Sequence, residues 1–253
     1  MAGIVIRRLS PIGFWSRDPD DLRPLTIDHR PSSPKTPPRT VFVTGGTGYL
    51  GAQLIRHLTK RGHSVRALVR QGSVSRLPSG AMPVVGDALH GLSYASQVPP
   101  ADTFVHLVGV SHPSPAKAEQ FLTIDLASVA AAVPVAVTAG VKHFIYVSVA
   151  QPAPAMKAYV AARVRGEQLI RQSGLGATFI RPWYVLGPGH WWPALLLPGY
   201  WLADLIPSLQ ETARRIGLVS RPQVVRALVH AVEQPVSGVR VIDVADIRKV
   251  TLT

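Results

Sequence analysis

Three glycines spaced three apart, Gly45, Gly48 and Gly51, follow the apolar run Val41-Phe42-Val43 and open a segment of helical period. That arrangement lets main-chain amides approach a negatively charged group at a helix N-terminus. Gly45 permits the turn out of the strand, Gly48 clears space for backbone N–H groups, and Gly51 lets the helix lie close to the sheet. Thr44 and Thr47 stand where hydroxyls can add donors, and Tyr49 and Leu50 complete the loop. The chemistry this predicts is binding of a dinucleotide diphosphate. A glycine-rich turn without a ligand is the plain alternative, and the strand before and helix after weigh against it.

The end of the second strand bears on which dinucleotide. An acidic residue there accepts from a ribose 2′-hydroxyl, whereas a basic one meets a 2′-phosphate. The chain has Arg70, then Gln71, Gly72, Ser73 and Arg76, with no carboxylate until Asp87. A guanidinium offers planar paired donors suited to phosphate, which favours NADP over NAD. The alternative is that Arg70 is a solvated strand-end residue. Asp87 either faces the adenine edge of the cofactor or forms a turn of its own. Leu107, Val108 and Gly109 end a further strand, at the carboxyl edge where open α/β sheets take ligands.

Strands are expected over 40–44, 64–70, 82–85, 103–108, 144–149, 177–180 and 239–244. Helices are expected from Leu50 to Leu58, around 74–77, over 116–139, over 157–173 and over 222–233, with Pro134 kinking or splitting the third of these. Apolar strands alternating with helices predict a doubly wound α/β fold, a parallel sheet covered on both faces. Residues 1–39 are rich in Pro and Arg and lack a sustained period, which predicts a disordered extension outside the fold. Residues 40–253 then form the ordered part.

Hydrophobic residues make up 47% of the 253 and charged residues 16%, the balance of a globular core. The absence of cysteine excludes disulfides and thiolate sites, and no cluster of His, Asp and Glu suggests a metal. The net charge of +13 comes from 21 Arg and 6 Lys spread without a dense run. With no aromatic-interleaved basic patch, nucleic acid is not an expected partner; a small-molecule substrate is. No run of about 18 apolar residues is free of breakers, so no integral span is expected. A cytoplasmic location, with room for peripheral membrane contact, follows as an expectation.

In their order along the chain, T-G-G-T-G-Y-L-G, A-L-V-R, V-V-G-D, F-V-H-L-V-G, H-F-I-Y-V-S-V, Y-V-A-A-R and I-R-P-W-Y-V-L-G-P-G resemble the short-chain dehydrogenase/reductase superfamily. The likeness is to its extended and atypical branches, among NmrA-like and NAD(P)H-binding proteins. It runs from about Arg39 to the C-terminus. It implies a Rossmann fold, with the cofactor across the carboxyl edge and a small C-terminal substrate lobe over about 182–253. It also implies a catalytic Ser, Tyr and Lys, with Tyr and Lys one helical turn apart so that the cation supports the phenol and holds the nicotinamide ribose. By position these fall on Ser148, Tyr159 and Arg163. Arg163 departs from the pattern: it keeps the charge but is bulkier and bonds in a different geometry.

Residues 181–201 gather Trp183, Tyr184, Trp191, Trp192, Tyr200 and Trp201 among several Pro and Gly. They suggest an apolar lid over a flat hydrophobic substrate, or packing of the C-terminal lobe. His190 in this stretch is a lone histidine. Two functions follow. One is an oxidoreductase or epimerase-like enzyme with Tyr159 as acid and base; the other is a non-catalytic NADP(H)-binding sensor or assembly factor, which Arg in the Lys position favours.

Overall fold

Val41, Phe42 and Val43 are fully buried, and alternate side chains enter two separate cores. Val41 and Val43 join Val105 and Ile145 on one face. Phe42 joins Phe104, Phe144 and Tyr146 on the other. Strands apolar on both faces must be covered on both, so the connections alternate sides.

The computed structural model describes residues 36–153, 155–189 and 217–252. Strands β1 (Thr40–Thr44), β2 (Ser64–Val69), β3 (Ala81–Val85), β4 (Thr103–His106), β5 (His143–Val147) and β6 (Gly176–Ile180) are laid down first. They form one parallel sheet with β9 (Val239–Ile242), in the order β3-β2-β1-β4-β5-β6-β9. Two short strands, β7 (Tyr184–Leu186) and β8 (Leu218–Ser220), pair in parallel as a separate sheet. Helices α1 (Gly51–Lys60), α4 (Arg221–Glu233) and α5 (Val244–Lys249) cover one face of the large sheet. Helices α2 (Ala127–Thr138) and α3 (Lys157–Gln172) belong to the other. The strand order reverses between β1 and β4, which opens a crevice at their carboxyl ends.

Most expected elements stand within a few residues of their sequence positions. The stretch around 74–77 is a 3-10 turn over Gln71–Arg76. Sequence alone did not foresee α5 or the β7–β8 pair; strands of three residues are too short to show a period. The helix over 116–139 is corrected in a more useful way. It continues through Pro134, held by buried Val133, Val135 and Ala136. The irregularity falls upstream, as a π-helical segment over Phe121–Leu126 in which Asp125 is buried. Such wide turns are frequent at functional sites. By length and composition alone Pro115–Thr138 is apolar enough to cross a membrane; here Val129, Ala132 and Ala136 pack into the core. Residues 1–35 of the N-terminal extension lie outside the described residues, as do His190, Trp191, Trp192, Tyr200 and Trp201.

Two buried histidines lie within the sheet. His106 sits between Thr44 Oγ1 at 3.0 Å and Ser128 Oγ at 3.1 Å. His143 Nε2 meets Thr178 Oγ1 at 2.9 Å. Burial lowers their pKa values, to about 3 for His106 and about 4 for His143. Both are neutral when folded and bind a proton on unfolding below about pH 6.5. Stability is therefore full above that pH and falls as pH drops toward the folded values, by roughly 2 kcal/mol per histidine at pH 5. We expect His143→Gln to flatten the decline in urea-derived stability between pH 7 and pH 5. An unchanged slope would show that the histidine is not held neutral.

Candidate active site

β1 delivers the chain into Gly45 at φ +74°, a backbone angle that side chains resist. A Cβ at this position would stand 2.9 Å from both the carbonyl carbon and oxygen of Leu107. The loop after β1 therefore lies main chain to main chain on the loop after β4. Gly48 N–H donates to Gly45 O at 3.0 Å, and Ala52 N–H to Gly48 O at 3.1 Å, which turns the chain directly into α1. At Gly51 an added Cβ would collide with the Gly45 carbonyl oxygen. Gly48 is exposed, while Thr47, Tyr49 and Leu50 are half-buried, so the loop keeps one open side.

The ten-residue α1 begins without a side-chain cap and has no acid in its first turn. Its leading N–H groups thus keep a positive end for an anion, and the loop fits the diphosphate of a dinucleotide. Thr44 is a correction to this cradle. Its hydroxyl is fully buried on His106 and adds no donor to the open side. The two-residue period of β1 turns it inward.

Arg70 is exposed at the end of β2, where its carbonyl accepts from Ser73 N–H at 2.8 Å. Arg76 Nη2 donates to Ser73 Oγ at 2.8 Å in the same turn. Asp87 follows β3, and its carboxylate accepts from Leu89 N–H at 3.0 Å and meets His90 Nδ1 at 3.0 Å. The Leu89 N–H is the main reason its pKa lies below the usual value; His90 and the Arg70 charge add to it. These bonds place Asp87 in a turn at the carboxyl end of β3, with its side chain half exposed. Leu107, Val108 and Gly109 run along the carboxyl edge beyond β4, with Gly109 exposed.

Ser148 follows β5 and donates its N–H to Ile180 O at 2.8 Å. Its hydroxyl is buried with no hydrogen-bond partner among the described residues. Tyr159, in the first turn of α3, packs edge-on against Phe121 with ring centroids 5.1 Å apart. One turn later, Arg163 places its guanidinium carbon 5.2 Å from the Tyr159 ring centroid and 5.6 Å from that of Tyr146.

Arg163 is buried and its donors are directed inward. Nη1 donates to Val147 O at 2.9 Å and reaches the Tyr146 hydroxyl at 3.4 Å, while Nη2 pairs with Asp125. The group lies so near Gly109 that no Cβ would fit there. Burial works against the Arg163 charge; Tyr159, Tyr146 and Asp125 outweigh it and raise its pKa. Burial also raises the Asp125 carboxyl, against the opposing pull of Arg163 and of Val110 N–H, which donates at 2.9 Å.

The structure thus brings Tyr159, Arg163, Gly109 and the residue preceding Ser148 into one cluster. Sequence reasoning missed Asp125 and Tyr146. The signal for Asp125 was present, as an isolated acid within the apolar stretch Phe121–Leu126. A buried acid needs a buried cation, and Arg163 is the one that answers it. Of the aromatic segment, Trp183 and Tyr184 are described; they meet edge to face at 5.4 Å, with Trp183 packed on the core. Asp125→Ala should cost about 3–5 kcal/mol by leaving the Arg163 charge buried without its carboxylate. Denaturant titration showing a loss below about 1 kcal/mol would remove the pair from any structural role.

A family profile described as NAD(P)H-binding matches residues 45–188, more than half of the chain. The chain is 26% identical over 211 residues to the ceramide reductase of Caulobacter vibrioides (strain NA1000 / CB15N), across 83% of this chain and 65% of that protein. It thus spans just under two thirds of that relative's length. It is 30% identical over 153 residues to the uncharacterized sugar epimerase YhfK of Bacillus subtilis (strain 168), across 56% of this chain and 70% of that one. Among solved structures, MoeE5 in complex with UDP-glucose and NAD superposes with a TM-score of 0.62 at 20% identity, covering 82% of this chain and 79% of its own. That likeness shows the fold. With its glycine cradle, its seven-stranded doubly wound sheet and the matching profile, the chain belongs to the NAD(P)H-binding family.

Proposed function

We propose that the chain is an NADP-dependent oxidoreductase acting on a small apolar carbonyl or hydroxyl compound. The observation that carries this reading is the continuity of its two halves. Gly45 of the diphosphate cradle touches Leu107, and two residues on, Gly109 touches Arg163, which lies over Tyr159. Dinucleotide and proton donor would therefore meet across one loop.

In this reading the open amides after Gly45 hold the diphosphate, and the Arg70 guanidinium receives the 2′-phosphate. When bound, nicotinamide supplies or accepts the hydride. Tyr159 gives its phenolic proton to the substrate oxygen in the reducing direction and takes one back in the other. Arg163 fixes the Tyr159 ring by lying over its face, and the Ser148 hydroxyl orients the substrate oxygen. The name of the Caulobacter relative, a ceramide reductase, supports an apolar substrate, as does the aromatic composition of 181–201.

A second reading rests on Arg163. Its two Nη groups are engaged by Asp125 and the Val147 carbonyl, so it is not a free cation for a nicotinamide ribose. That favours a protein which binds NADP(H) as a sensor or assembly factor and runs no proton relay.

The readings separate in one assay series. The enzyme should oxidise NADPH with some member of a panel of quinones, enones and aldehydes, and Tyr159→Phe should lower kcat about 100-fold or more. A variant as active as the parent would refute the relay, and tight NADPH binding without turnover across the panel would favour the second reading. For cofactor choice, Arg70→Asp should weaken NADPH at least about tenfold more than NADH. Equal losses, measured by cofactor fluorescence, would refute the 2′-phosphate role.

A further inference from the structure

Tyr49, inside the glycine-rich loop, is held by residues from the distant end of the chain. Arg221, the first residue of α4, places its guanidinium carbon 4.9 Å from the Tyr49 ring centroid. Gly187, just after β7, lies so close to the Tyr49 hydroxyl that a Cβ there would collide with it and stand 3.2 Å from Arg221 Cβ. The backbone beneath Arg221 is fixed by a reciprocal cap. Gln223 N–H donates to Ser220 Oγ at 3.4 Å, and Ser220 N–H donates to Gln223 Oε1 at 2.7 Å.

Among the described residues Arg221 forms no ion pair. A guanidinium stacked on a ring uses its face, and its in-plane N–H donors stay available to an anion. The ring in question belongs to the residue between Gly48 and Leu50, whose backbone borders the open side of the loop. α1 brings no acid of its own to compete there.

From this geometry we infer that Arg221 is a cofactor-binding residue, its guanidinium seated on Tyr49 and supplying counter-charge to the dinucleotide diphosphate. The inference rests on the proposed dinucleotide site and adds to it a residue beyond the glycine loop, from the C-terminal quarter of the chain. It also gives Tyr49 and Gly187 a purpose. Tyr49 is the seat, and Gly187 leaves room for it.

The test compares ligands with and without a diphosphate. Dissociation constants for ADP-ribose, NADPH, NADH and 2′-AMP are measured calorimetrically on the full chain and on two variants. Arg221→Gln removes the charge, and Arg221→Met also keeps an apolar stem over the Tyr49 ring, so at least one folded variant is expected by circular dichroism and melting. Loss of a charge-assisted hydrogen bond predicts about tenfold weaker binding of ADP-ribose, NADPH and NADH alike, with 2′-AMP unchanged. Unchanged ADP-ribose affinity in a folded variant would overturn the inference, as would equal weakening of ADP-ribose and 2′-AMP. A parent chain that binds none of the dinucleotides would overturn the site itself, an outcome distinct from failure of the variants alone.

Discussion

The approach of Gly45 to the Leu107 carbonyl is the constraint on which the rest of the site depends. Two main chains can meet this closely only where one of them carries no side chain and adopts a positive φ. The contact occurs at the strand-order reversal, where the connections of β1 and β4 leave the sheet toward opposite faces. It sets the floor of the crevice. From it the path runs one way into the amides that open α1, and the other way along Leu107, Val108 and Gly109 to Arg163. A side chain at Gly45 would separate the loops and, with them, the glycine turn from the Gly109–Arg163 contact.

Around that floor a line of buried polar groups is bonded one to the next. Thr44, His106 and Ser128 form a chain across the sheet, and Ser128 in turn donates to the Asp125 carbonyl at 3.0 Å. Asp125 continues it to Arg163, and Arg163 to the Val147 carbonyl beside Ser148. Such a line is costly to build, because each member loses water, and severe to break, because the remaining partner stays buried. Its rigidity suits a site in which ring positions matter to a fraction of an ångström. A second network works the same way further along: buried Glu167 accepts from Arg181 Nε at 2.9 Å and from Gln151 Nε2 at 2.9 Å, tying α3 to the segment after β6. Arg163 is therefore best understood as a structural cation that also lies against Tyr159. This is why two functions stay in play where a lysine would have left one.

Part of this is legible in the sequence. The runs at β1, β4, β5 and β6 are short, apolar and separated by helical periods, and such a pattern admits few arrangements other than a covered parallel sheet. The glycine spacing located the cradle because backbone proximity to phosphate restricts residue type locally. Arg70 and Asp87 were legible as strand-end positions. The turn that engages the Asp87 carboxylate was not, because it depends on Leu89 and His90 folding back. That Pro134 does not split its helix was hidden for a related reason. Its local preference is to break a helix, and burial of its neighbours on the sheet overrode that preference.

By itself, then, the sequence determined the order of the strands of the large sheet and of the helices between them, the place of the glycine-rich loop and the identity of the Tyr-x-x-x-Arg pair, since each is written in neighbouring residues. Tertiary structure alone decided what those side chains face. Asp125 meets Arg163 across 38 positions, Tyr49 meets Arg221 across 172, and Thr44 turns from the cradle to His106. The physical reason is that charge pairing and close packing act through space over a few ångströms. Partners brought together by the winding of a sheet leave no periodic trace in the chain that joins them.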